Sequence, residues 1–375
     1  MYYLYNEFRK FNDVELHIIS ESKYATKTIH YNEGNTNFYW IKKGPPILKF
    51  GYPPNFRFDT LTGYYCEKIK ILKLIENIKP DIINSHGTEY AFSYVILDLN
   101  KPKLISIQGF ISEIKKYSNE LSIYNFFQSK FELETLKKEK YFMTGGIEFI
   151  EEKIKKFNPQ AKFFPIYYPI SDYAFELGNK FNSLNKKTDF IYVGGFNKLK
   201  GIYDFIEALG LLKSKGINFN AKVAGIINKK IYKDIKERVK KLDLVNNVIF
   251  IGFLQEHSDL LTEISMAKVF VLPTYCDTGA RSIAESMAIG TPVIAYNTDG
   301  IPTMIKDGER GFLVKKGNVS LLANKMEEVL SNFNSKYLID IILNAKNYAH
   351  QNFKSKNIAN YLLNAYKTIL NEWKR

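Results

Sequence analysis

Asp277, Arg281 and Glu285 recur at four-residue intervals within PTYCDTGARSIAESMAIG, with the small residues Gly279 and Ala280 between the first two. These groups suit a nucleotide sugar. A cation can clamp the diphosphate through a bidentate pair, one carboxylate can accept from two neighbouring ribose hydroxyls, and a second can face the sugar. Arg281 and Glu285 are spaced i, i+4 and therefore share one face of a helix predicted over 282–289, whose apolar and small positions are Ile283, Ala284, Met287 and Ala288. The unpaired N–H groups at that helix start attract an anion, and Gly279 lets backbone approach it closely. The plainer reading is an i, i+4 salt bridge at a helix start, worth about 0.3–0.5 kcal/mol.

These residues need elements to hold them. KVFVLPT, Lys268 to Thr274, is an apolar β-branched run of buried-strand length, so Asp277, Gly279 and Ala280 fall in a loop at its carboxyl end. In open α/β sheets ligands bind at that edge. A second such unit is DFIYVGGFNKLKG, Asp189 to Gly201: a buried-type strand, a turn with Gly195, then Lys200 and Gly201 opening an amphipathic helix with Ile202, Phe205, Ile206, Leu209 and Leu212 inward. Lys200 stands where a phosphate could sit, although a plain strand-to-helix turn would look the same.

VGGFNKLKG, the acid pair, SIAESMAIGTPVIA and GIPTMIKDGERGFLV follow one another in the order and spacing of retaining glycosyltransferases with two Rossmann-like domains. The chain resembles glycosyltransferase family 4, the group 1 glycosyl transferases, closely over Asp189 to Val314 and more loosely through KPDIINSHGTEYAF and KPKLISIQGF. The resemblance implies an α/β fold of the GT-B type, two Rossmann-like domains facing across a cleft. Residues 1–174 would form the acceptor domain, 175–189 a linker, 190–350 the nucleotide-sugar domain, and 351–375 a helix crossing back to the first domain, anchored by Trp373. It assigns Lys200 to the donor diphosphate, Glu285 to the ribose and Asp277 to the transferred sugar, with Arg281 assisting the diphosphate as in a subset of capsule and glycan-assembly members. The implied donor is a UDP-sugar in preference to a GDP-sugar, and the implied acceptor a glycan or lipid-linked glycan of bacterial surface polysaccharide. No cofactor is expected. No Asp-x-Asp pair occurs in the chain, so cationic side chains rather than a metal would hold the diphosphate.

The chain also departs from the family. Gly195 stands where arginine is usual, Asp277 where glutamate is the rule, and Gln108 where many members carry histidine. The chain opens on a helical pattern followed by a strand at Val14 to Ser20, so the family's first strand and its glycine loop are expected to be missing. His86 and the pair Gln108, Gly109 end two predicted parallel strands and are candidates for substrate contact, although a lone histidine is more often structural. The prolines and aromatics between Tyr31 and Arg57 read as an irregular acceptor-side loop.

With 375 residues and 45% hydrophobic content, the chain suits two globular domains. Its net charge of +14 is nearly all lysine, with six arginines and no nucleic-acid reader signature, so nucleic acid is not an expected partner. Lysine-rich surfaces suit an anionic membrane or a pyrophosphate-linked lipid. The stretch Phe110 to Phe142 fits either a helix lying on such a membrane or an amphipathic core helix. The cysteines Cys66 and Cys276 form no framework, and neither a secretory signal nor a spanning segment is evident. A cytoplasmic protein, at most peripheral at the inner membrane face, is expected. Two other readings stay open: a sugar-nucleotide epimerase of the same architecture, and a weakly active sugar-nucleotide-binding subunit.

Overall fold

A computed structural model describes residues 2–22, 24–44, 58–88, 90–117, 123–180 and 186–374. The chain divides into two compact units, one of residues 1–166 with 358–375, the other of residues 167–357. Among the described residues no helix is long and apolar enough to cross a membrane.

The first unit opens with a helix, Tyr2–Phe8, followed by β1 (Leu16–Ser22), β2 (Ile29–Glu33) and β3 (Thr36–Lys42). The region expected to be irregular from Tyr31 is therefore a hairpin up to Lys42. Gly34 at φ 64° makes its tight turn, and β3 runs antiparallel to β2 and parallel to β1. Stacked Tyr31 and Phe38 hold the pair face to face across the hairpin, a cross-strand contact that sequence patterning alone did not expose. Pro45, Pro46, Pro53 and Pro54 lie outside the described residues.

A second sheet of the same unit is wholly parallel: β4 (Ile83–His86), β5 (Lys103–Ser106), β6 (Tyr141–Met143) and β7 (Lys162–Phe164), in that order. Ile71 and Ile75 of helix Tyr65–Ile78, Ile150 and Ile154 of helix Ile147–Lys155, and Ile105 and Phe142 of the sheet close its core. Both helices place isoleucines four apart, which sets one apolar stripe against the sheet. A cavity of about 610 Å³ lies between the two sheets, lined by Ile18, Trp40, Ile75, Ile83, His86 and Phe92 among others.

The stretch Phe110 to Phe142 is not one long helix. Among its described residues it holds a helical turn at Ile111–Ile114 continued by a 3-10 turn at Lys115–Tyr117, a helix at Ile123–Lys138 and then β6. Helix Ile123–Lys138 buries Gln128, Phe131, Glu132, Thr135 and Leu136 while exposing Ile123 and Phe126, so apolar residues occupy both faces. Glu132 accepts from the Ile111 amide and from Thr88, which explains a buried acid on its inner side.

The last helix, Ser355–Trp373, belongs to the first unit from Ile358 onward. The expected anchor, Trp373, is 46% exposed. Its neighbour Glu372 makes the attachment instead, pairing with Lys162 at 2.7 Å and accepting from the Tyr141 hydroxyl at 2.8 Å, and these two contacts, Lys162 foremost, hold its carboxyl down at about 2. Asn84 of β4 adds a 2.7 Å hydrogen bond to the Tyr366 hydroxyl.

The second unit is a six-stranded parallel sheet: β8 (Thr188–Val193), β9 (Ala221–Ala224), β10 (Val248–Gly252), β11 (Ala267–Leu272), β12 (Val293–Asn297) and β13 (Phe312–Lys315). Their order is β10-β9-β8-β11-β12-β13. The chain winds outward from β8 to β10 and then returns to the other side at β11. The reversal places the carboxyl ends of β8 and β11 side by side at a topological switch point. The run expected as a linker is helical at its start, because Asp172–Asn179 forms a helix capped by Ser171 that packs on helices His257–Ser265 and Arg281–Ile289; residues 181–185 lie outside the described residues.

Candidate active site

The switch point gathers the residues singled out in the second unit. Past β8, the Asn197 side chain accepts from the Lys200 amide at 2.9 Å and forms a short 3-10 turn over Lys198–Lys200. The buried Tyr192 hydroxyl reaches the carbonyls of Gly195 and Lys200, each at 3.2 Å, and so pins both ends of the turn. Burial raises the Tyr192 phenol far above its ordinary range and keeps it neutral. A Cβ on Gly195 would meet only the Asn197 amide nitrogen at 3.0 Å, so space remains beside this glycine.

Gly201 brings the two loops together. It adopts φ 74°, and a Cβ there would lie 1.9 Å from the Pro273 carbonyl oxygen. The Tyr275 amide then donates to the Leu199 carbonyl at 2.8 Å, and the Thr274 hydroxyl reaches the same carbonyl at 3.2 Å. Gly201→Ala combines a strained backbone with a clash against main chain, and is expected to cost about 2–3 kcal/mol. Thermal unfolding reads this as a lower Tm; an unchanged Tm would show that the loops do not depend on this contact.

Across this seam Lys200 Nζ donates to Asp277 Oδ2 at 2.5 Å. The other Asp277 oxygen accepts from the Gly279 amide at 3.1 Å, and the Asp277 amide donates to Asp299 at 3.1 Å. The Asp277 carbonyl accepts from Gly300, where a Cβ would stand 2.1 Å from the Thr278 oxygen. The loop after β11 is therefore braced by the loop after β12. Nothing of the protein lies within 4 Å of a Cβ built on Gly279, so this glycine borders open space rather than a tight backbone contact.

Helix Arg281–Ile289 begins at Ala280, a buried residue that supplies no side-chain cap to the first-turn amides. Arg281 is exposed at its mouth. Glu285, one turn on, is 2% exposed and stands 3.1 Å from His257 Nε2 at the start of helix His257–Ser265. The i, i+4 spacing pointed to Arg281 as its partner, but a histidine from the preceding helix takes that place. Contact with the Glu285 carboxylate raises the His257 imidazole above its ordinary value, against the opposing effects of burial and Arg281. His257 carries no motif, and nothing in its spacing links it to Glu285. A second group without a sequence signal is Asp204, which accepts from the Tyr275 hydroxyl at 2.7 Å and the Tyr296 hydroxyl at 2.6 Å and so stiffens the floor of the loop.

Gly195 and Lys200 thus lie on the loop after β8, and Asp277, Gly279, Ala280, Arg281 and Glu285 on the loop and helix after β11, with the Lys200–Asp277 contact joining the two. The Gly225 amide donates to the Gly252 carbonyl at 2.8 Å, joining the ends of β9 and β10, with Ile226 and Phe253 exposed.

Residues 175–348 match the family described as glycosyl transferases group 1. This segment is a group 1 glycosyl transferase domain. A sulfoquinovosyl transferase of Arabidopsis thaliana is 31% identical over 107 residues, which is 28% of this chain and 21% of that protein. A D-inositol 3-phosphate glycosyltransferase of Mycobacterium bovis is 33% identical over 76 residues, 20% of this chain and 16% of that protein. The chain thus spans about a fifth or less of the length of these curated relatives. The fold is shared more widely. A sucrose-phosphate synthase of Thermosynechococcus elongatus superposes with a TM-score of 0.76 at 17% identity, covering 96% of this chain and 90% of that one. An Anabaena protein, HepE, solved in complex with UDP, gives 0.61 at 16% identity over 80% of this chain and 82% of that one. The group 1 domain ends within helix Lys336–Asn352, so it takes in both loops at the switch point.

The remaining candidates belong to the first unit. His86 ends β4 and Ser106, its register partner, ends β5, with Gln108 and Gly109 just beyond. His86 lines the cavity. Desolvation there, with a smaller push from the amino-terminal charge, pulls its imidazole down to about 4, so it is neutral at pH 7. Gln108 is exposed, and the Gly109 carbonyl lies 3.5 Å from the Thr88 hydroxyl.

Proposed function

We propose that the protein is a retaining glycosyltransferase that moves a sugar from a nucleoside-diphosphate donor, a UDP-sugar in preference to a GDP-sugar, to a glycan acceptor. The observation that supports this reading is the β8/β11 switch point, where Lys200 of one loop reaches Asp277 of the other just before a helix whose start has no side-chain cap and whose first two turns carry Arg281 and Glu285. The diphosphate would lie on the amides of that helix start between Lys200 and Arg281, Glu285 would accept from the ribose hydroxyls, and Asp277 from the sugar. As the anomeric carbon's bond to the β-phosphate oxygen breaks, charge collects on that oxygen, and fixed N–H groups and ammonium stabilise it most at that moment. The acceptor hydroxyl oxygen forms the new bond from the same face, and its proton passes to the departing phosphate. Lys200 would exchange Asp277 for phosphate as the donor binds, which frees Asp277 for the sugar.

No metal or cofactor enters this scheme. The acceptor class best matched by a lysine-rich chain of net charge +14 is a lipid-linked glycan of a surface polysaccharide, met at the inner face of an anionic membrane. The test supplies UDP- and GDP-sugars with and without glycan acceptors and measures nucleoside diphosphate released. Release that needs the acceptor and persists in excess chelator is expected. Chelator-sensitive release would overturn the metal-free scheme. Conversion of donor without acceptor would instead favour an epimerase, and donor binding with no turnover a non-catalytic subunit.

A further inference from the structure

We propose that His257 is a place-holder for the ribose: its imidazole occupies Glu285 until a nucleoside diphosphate displaces it. Donor affinity then depends on the protonation of His257. This rests on the donor reading above.

Glu285 is 2% exposed whereas His257 is 38% exposed, so the ring is the more accessible member of the pair. Its Nε2 stands 3.1 Å from Glu285 Oε1, yet that buried oxygen takes no hydrogen bond of ordinary geometry. A buried carboxylate oxygen in that condition is an acceptor held in reserve, and a pair of adjacent hydroxyls can satisfy both carboxylate oxygens where one ring nitrogen does not. The two helices concerned pack directly on one another. Among the described residues the charged groups acting on His257 are Glu285 and Arg281, both on helix Arg281–Ile289; helix Asp172–Asn179 and β11, which also pack on the His257 helix, contribute none.

The sign follows from the pair. In the free protein the carboxylate favours the imidazolium, so the His257 pKa is raised; displacement returns it towards the ordinary value, so donor binding releases a proton. Affinity is therefore weakest below the ordinary imidazole value, grows as pH climbs from there, and is fully restored only above the raised pKa.

The experiment measures Kd for UDP, or for GDP if only that binds, from pH 6 to pH 8 with the wild type, His257→Gln and His257→Ala, each checked by thermal unfolding. Comparison at each pH cancels the titration of the nucleotide's own phosphate. The wild type should weaken towards pH 6 by about threefold or more relative to either variant, and both variants should bind at least as tightly as wild type at pH 6. Parallel pH curves, or variants that bind more weakly at every pH, would overturn the place-holder role. Parallel curves together with binding that Glu285→Gln removes would leave the donor reading standing. If neither nucleotide binds the wild type at any pH, both readings fail.

Discussion

Lys200→Ala is expected to lower kcat by about 10²–10³-fold, the usual consequence of removing one preorganised donor from a developing oxyanion. Lys200 opens the helix after β8 and is held in place by the Asn197 cap on its amide and by Tyr192 on its carbonyl. Its ammonium donates to Asp277 at 2.5 Å. A diphosphate gathers more negative charge as its bond to the sugar breaks, so the ammonium acts more strongly in the transition state than in the ground state. KM for the donor should therefore change much less than kcat. The stability effect should be small, because Lys200 is partly exposed and Asp277 keeps the Gly279 amide. Steady-state kinetics with a matched acceptor decide it. A variant that loses donor affinity but keeps kcat would move Lys200 from the leaving group to ground-state binding, and an unaltered enzyme would remove it from the site.

Glu285→Gln is expected to weaken nucleoside diphosphate binding by about 10–100-fold, as the charge-assisted bonds of two hydroxyls to a carboxylate are replaced by weaker ones to an amide. The substitution keeps the volume of a side chain that sits inside helix Arg281–Ile289 among Ile283, Ala284, Met287 and Ala288, all buried. Glu285→Ala would lose the same contact and leave a hole as well, so the glutamine isolates the charge. Isothermal titration with UDP or GDP provides the measurement. Binding equal to wild type would show that no ribose reaches this carboxylate. The loss should also be accompanied by a fall in the His257 pKa, since the carboxylate is what raises it; NMR titration of the imidazole reads that separately.

Part of this architecture was legible along the chain because its signals are local. Runs such as 190–193 and 269–272 are apolar and rich in β-branched and aromatic residues, and are followed by amphipathic stretches; alternation of that kind implies a parallel sheet. The boundaries moved little: the strand expected within Lys268–Thr274 is β11 at Ala267–Leu272, and the expected helix at 282–289 is Arg281–Ile289. The first unit was harder to read. Its hairpin strand β2 is exposed along its whole length, so no buried face produces an alternating pattern in the residues. Trp373 and Glu372 show the same limit from the other side, since a large apolar residue at a helix end resembles an anchor unless one knows that Tyr141 and Lys162 lie opposite its neighbour.

By itself the order of residues determined the alternation of strands and helices, the loops carrying Lys200 and Asp277, and the resemblance those loops bear, since propensity, periodicity and turn chemistry act over a few neighbours. The strand order that brings β8 beside β11, the 2.5 Å pairing of Lys200 with Asp277, and the placing of His257 rather than Arg281 against Glu285 were decided only in three dimensions. Each of these depends on which buried faces pack together between elements far apart in the chain, and a long-range contact leaves no mark on the spacing of the residues that make it.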